Sequence, residues 1–135
     1  MRIGLAAAVL VLFGALGCGG GLPGTYVATV EEYGQKTNSA PGYTLEEVRK
    51  RLAESPRKLH LEAAKFQTSE GGRTIWEGSW RKDGDKLILR ATRVQGTEVN
   101  EKLQQDYTLK ILDDGRFADE SVYSAYGLRI VFKKE

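Results

Sequence analysis

The stretch Thr74-Ile75-Trp76-Glu77-Gly78-Ser79-Trp80, carried through Arg81-Lys82-Asp83-Gly84-Asp85-Lys86 into Leu87-Ile88-Leu89-Arg90-Ala91-Thr92, decides the fold of this chain. Two runs rich in aromatic, β-branched and aliphatic residues flank an Asp-Gly pair. That pair is a strong hairpin signal, because glycine takes the positive φ of a tight turn without steric cost. By the two-residue period of a strand, Trp76, Gly78 and Trp80 fall on one face. Outward from this hairpin the pattern repeats. Upstream, Leu59, Leu61 and Ala63 alternate with His60, Glu62 and Ala64, and Glu70-Gly71-Gly72 turns the chain into Thr74. Downstream, Gly96 and Asn100 mark a break, after which Tyr107, Leu109 and Ile111 alternate with Thr108, Lys110 and Leu112. Asp114-Gly115 leads to Phe117, a short strand is expected near Ser121 to Ser124, and Gly127 opens Leu128 to Phe132. With Thr25 to Val30 as the first strand, this makes roughly seven strands.

No helix separates most neighbours, so the sheet is antiparallel. The chain is mainly β: an antiparallel meander expected to close into a small barrel or half-barrel, which hides its edges. One helix is inserted between the first two strands. Thr44 and Glu47 form a capping box, and Glu46 complements the positive helix end. Leu45, Val48 and Leu52 recur at i, i+3 and i+7 as a narrow apolar stripe, and Pro56 stops the helix after Ser55. So short a helix is marginal alone and must dock that stripe on the sheet.

The first residues carry a different kind of information. Arg2 precedes an uncharged apolar run from Ile3 to Leu16, shorter than the roughly twenty residues of a membrane-spanning helix and suited to an export signal. The run ends in Ala15-Leu16-Gly17-Cys18, with small residues before the only cysteine, and this resembles a bacterial lipobox. The resemblance implies a signal peptide over residues 1–17 and lipid attachment at Cys18, a palmitate-type anchor that holds the protein in the membrane. An ordinary export signal that leaves Cys18 a free thiol, and an uncleaved anchor, are the alternatives. Residues 18–24 read as the lipidated cysteine and a glycine-rich tether that extends at most about 20 Å. Residues 25–135 are expected to be a single β-barrel-like domain close to the bilayer. Gly19 stands where an aspartate retains some lipoproteins in the inner membrane, which favours the periplasmic face of the outer membrane as the location.

Lys and Arg number 20 against 18 Asp and Glu, with signs interspersed along the chain. No basic face forms of the kind that drives phosphate binding, so nucleic acid is not an expected partner. His60 is the only histidine, and neither G-x-S-x-G nor H-E-x-x-H occurs. The acidic turns Lys82-Asp83-Gly84-Asp85 and Leu112-Asp113-Asp114-Gly115 lack the twelve-residue frame of a calcium loop and read as hairpin turns. Glu31-Glu32 and Asp119-Glu120 are adjacent pairs that point to opposite strand faces, so no acid–base dyad follows. No catalytic residue, metal site or cofactor is expected, and the protein is not read as an enzyme.

Trp76, Gly78 and Trp80 have two readings. Core packing is the first, with Gly78 relieving crowding between two indoles or allowing a bend. The second is a pocket with aromatic walls, to which Tyr123 and Tyr126 add polar handles at the mouth. Those five residues are the candidate ligand-binding set.

Gly24-Thr25-Tyr26, the hairpin Gly78 to Leu87, and Tyr107 to Phe117 with its Asp-Gly turn together resemble small bacterial lipocalin-like lipoproteins. Lipocalins proper open with G-x-W, where this chain has Tyr26. The C-x-x-C of copper-responsive envelope lipoproteins is absent, so the resemblance implies no copper. It implies a lipid-anchored, non-catalytic protein of the cell envelope whose partner is a small apolar or amphipathic ligand. The other expectation is a solid barrel that docks an envelope protein or the cell wall.

Overall fold

The computed structural model describes residues 21–135. Residues 1–17 and Cys18, with the signal-peptide and lipidation expectations that fall on them, lie outside the described residues. The architecture is a closed, antiparallel barrel of eight strands with one helix between the first two. In chain order the elements are β1 (Gly24–Glu32), α1 (Leu45–Glu54), β2 (Arg57–Leu61), β3 (Lys65–Glu70), β4 (Arg73–Asp83), β5 (Lys86–Val94), β6 (Thr97–Glu98), β7 (Asp106–Ile111), β8 (Phe117–Asp119) and β9 (Leu128–Lys134). Each strand pairs with the next around the ring, and β9 returns to β1 from Tyr26↔Lys134 to Glu32↔Leu128. The short β6 pairs with β5 alone and stands outside the ring.

Eight strands leave an interior just wide enough for side chains to fill. Here Tyr26, Leu59, Leu61, Phe66, Leu87, Leu109, Phe117 and Ile130 fill it, each almost wholly buried. Tyr26 packs its ring on Phe117 at 4.5 Å and donates its hydroxyl to the Leu22 carbonyl at 2.6 Å, so the end of the tether is fastened to the barrel. The tether, the 62–64 turn and both Asp-Gly turns lie at one end, called here the tether end. The opposite helix end carries α1, the β3–β4 turn and the 95–105 connection.

The helix forms as its sequence dictates. The Thr44 hydroxyl accepts from the Glu47 amide and the Glu47 carboxylate accepts from the Thr44 amide. Val48 is buried, and Leu45 and Leu52 pack partly buried against the core.

Two local expectations are corrected. The second strand ends at Leu61 rather than running to Ala64, because the Glu62 amide donates to the Lys65 carbonyl and reverses the chain into β3. β3 escaped the sequence pattern because Phe66 is its one large apolar residue. The short strand expected near Ser121 to Ser124 is instead Phe117–Asp119, followed by a 3-10 turn at Ser124–Tyr126. The Asp119 carboxylate ends the strand by accepting from both the Ser121 amide and the Ser121 hydroxyl.

Candidate apolar site at the barrel mouth

On the β4–β5–β7 side the packed interior gives way to an open pocket of about 250 Å³. A small residue on β5 opens it: Ala91 lines the pocket with a single methyl and leaves open the space beside the inward rings of Trp76 and Tyr107. Those rings stand edge to face at 5.9 Å. Phe66 and Leu89 add apolar wall, and the 95–105 connection contributes Val99 and Leu103. Leu103 is 71% exposed, a large apolar side chain held in water at the pocket rim.

The connection is held both by its own turns and by the neighbouring strands. Gln95 and Gly96 take positive φ at the β5–β6 turn, the Asn100 side chain caps a 3-10 turn by accepting from Lys102, and the Gln104 side-chain amide donates to the Val99 carbonyl. The Gln95 amide donates to the Ile75 carbonyl of β4 and the Val99 amide to the Thr92 carbonyl of β5.

The polar residues of the lining are Gln104, Gln105 and Asp106, whose carboxylate accepts from Arg90 and Arg81, and behind the Tyr107 ring lies a buried carboxylate. Asp119 is 5% exposed, and it accepts from the Tyr107 hydroxyl as well as from Ser121. Burial first, and then the Asp119 carboxylate, push the Tyr107 hydroxyl well above the ordinary tyrosine range, so it stays a neutral donor at any physiological pH. Because both groups are satisfied by each other, neither is left to act on a ligand.

The five sequence-derived candidates are not brought together. Trp76 lines the pocket and Gly78 borders a neighbouring groove. Trp80 packs on the core further along β4, and its indole N–H donates to the Glu62 carbonyl at 2.7 Å. Tyr123 and Tyr126 gather around Tyr43, at 5.8 Å and 4.4 Å, where they fasten the 33–43 loop. Tyr107 belongs to the site and was not singled out from sequence, although its alternation with Leu109 and Ile111 already placed it inward.

His60 shares a hydrogen bond with Thr25 through Nδ1 at 2.8 Å. Among the described residues no three His, Cys, Asp or Glu side chains gather as a metal site, and no helix is long and apolar enough to cross a membrane. No family model, curated protein or solved structure matches the chain.

Proposed function

We propose that this is a non-catalytic binding protein of the bacterial envelope, anchored by a lipid on Cys18 at the periplasmic face of the outer membrane, that takes a small apolar group against the wall formed by Trp76 and Tyr107. The observation that carries it is the open apolar pocket lined by Trp76, Ala91, Leu103 and Tyr107 at one side of an otherwise filled barrel. Its volume of about 250 Å³ lies just below the range of drug-sized sites, so it suits a single short alkyl arm or one ring. The tether joins the barrel at the end opposite the 95–105 connection, so an anchored protein presents the pocket away from the bilayer. The ligand then arrives from the aqueous side.

A second reading rests on the filled core: the barrel is a scaffold whose surface docks an envelope protein or the cell-wall polymer. One experiment separates the two. Titrating 1-octanol into Cys18→Ser protein that also carries Trp80→Phe, purified without detergent, leaves Trp76 as the fluorescent reporter. Binding should be saturable, and Ala91→Phe should abolish it by filling the pocket while the protein stays folded. No saturable response in the parent protein would leave the scaffold reading.

A further inference from the structure

The geometry points to a saccharide subsite on the outer face of the barrel, placed so that a sugar head can lie beside the apolar arm of the same ligand. This rests on the pocket reading above for the arm. The subsite is a groove of about 580 Å³ on the β2–β5 side, and it shares Phe66, Val99 and Gln104 with the apolar pocket. The two compartments are therefore neighbours across a shared wall, one apolar and one polar.

What lines the groove is ordered by sheet register. His60 pairs with Gln67, Gln67 with Glu77, Glu77 with Arg93, and Arg93 with Glu98. Strands lie about 4.8 Å apart, so this row of polar side chains runs about 19 Å across five strands. All five line the groove. Four belong to strands of the ring and the fifth, Glu98, to the short β6 paired with β5, so their positions are set by strand pairing.

The charges identify the head group. Arg93 lies 3.6 Å from Glu98, and Lys65 and Glu62 line the same groove, so opposite charges alternate along it and leave little net field for an ion. At the centre, Glu77 has no ion-pair partner among the described residues, so an anionic head is repelled there. Arg93 and Lys65 flank it and disfavour a cation. Gln67 and Ser79 make no side-chain hydrogen bond among the described residues. Together they offer a carboxylate that can accept from two neighbouring hydroxyls, an amide that both donates and accepts, and a free hydroxyl. A neutral, hydroxyl-rich ring matches that set.

The test uses Cys18→Ser protein without detergent, with tryptophan fluorescence for the alkyl ligands and calorimetry for the free sugar. Octyl β-glucoside, kept below its micelle-forming concentration, is compared with 1-octanol, octanoate, octylphosphocholine and cellobiose. The glucoside should bind about tenfold tighter than octanol, the gain of one or two net hydrogen bonds. Glu77→Gln and Gln67→Ala should each remove most of that gain and leave octanol affinity unchanged. Cellobiose binding as tight as the glucoside, and lost in the same variants, supports the subsite and assigns its sugar to a free glycan rather than a glycolipid. Equal affinity for glucoside and octanol overturns the subsite and leaves the pocket standing. Tighter binding of octanoate or octylphosphocholine overturns it in favour of a charged head. If neither octanol nor glucoside binds and cellobiose is also silent, the pocket reading falls together with the subsite.

Discussion

Gly78 on β4 passes so close to Arg90 on β5 that a Cβ at position 78 would lie 1.9 Å from the Arg90 carbonyl oxygen. The cause is a register shift between Glu77 and Gly78, where β4 bends against β5 and the backbones press together. This glycine is required by backbone proximity, ahead of any demand from the neighbouring tryptophans. Gly78→Val should therefore destabilise the barrel by at least about 3 kcal/mol, beyond the usual cost of an overfilled core, because the obstacle is main chain and cannot rotate away. Gly78→Ala should behave in the same way. Chemical denaturation of either variant checks this, and a melting curve unchanged from the parent would contradict the close approach.

The barrel is closed by a seam whose outer face carries its densest ion cluster. Glu31 on β1 faces Arg129 on β9 in register and accepts from Arg129 Nε at 2.8 Å and from Arg116 Nη1 at 3.0 Å. Arg129 also donates to Glu120 at 2.9 Å and lies over the Tyr33 ring at 4.1 Å. Burial opposes the Glu31 charge, but its bonds to Arg129 and Arg116 outweigh that and hold the carboxyl below its ordinary value of 4.5. A carboxyl depressed in the folded state contributes stability that is present above its unfolded pKa and is lost as pH falls through the folded value. Melting temperature should then fall below about pH 4.5, and it should fall less steeply in Glu31→Gln, which loses roughly 1–3 kcal/mol at neutral pH. Parallel acid profiles for the two proteins would remove Glu31 from the closure of the barrel.

Replacing Cys18 with Ser should move the protein from the membrane fraction to the soluble fraction. Acyl chains contribute roughly 0.8 kcal/mol per buried CH₂, so their loss is decisive where no other anchor acts. A variant that still pellets with membranes and resists carbonate extraction would contradict the lipid anchor.

The meander was legible because its turns are chemically explicit. Asp83-Gly84 and Asp114-Gly115 fix where hairpins reverse, and alternation at Leu59/Leu61 and Tyr107/Leu109/Ile111 fixes which face goes inside. β3 was not legible, since Lys65–Glu70 offers one apolar residue and draws its place in the barrel from pairing on both sides. Of the site, Trp76 was readable and its setting was not. The pocket depends on Trp76 of β4, Ala91 of β5 and Tyr107 of β7 meeting along one wall, an arrangement that no single strand encodes. Tyr123 and Tyr126 misled because proximity to a turn does not say which ring they will meet, and they meet Tyr43.

The most direct test of the central claim is to map 1-octanol onto the protein by amide chemical shifts in isotope-labelled Cys18→Ser protein. Saturable shifts should be confined to Trp76, Ala91, Val94, Val99, Leu103 and Tyr107, with Tyr123 and Tyr126 unmoved. Shifts centred on Tyr123 and Tyr126, or spread evenly without saturation, would contradict a binding pocket walled by Trp76 and Tyr107.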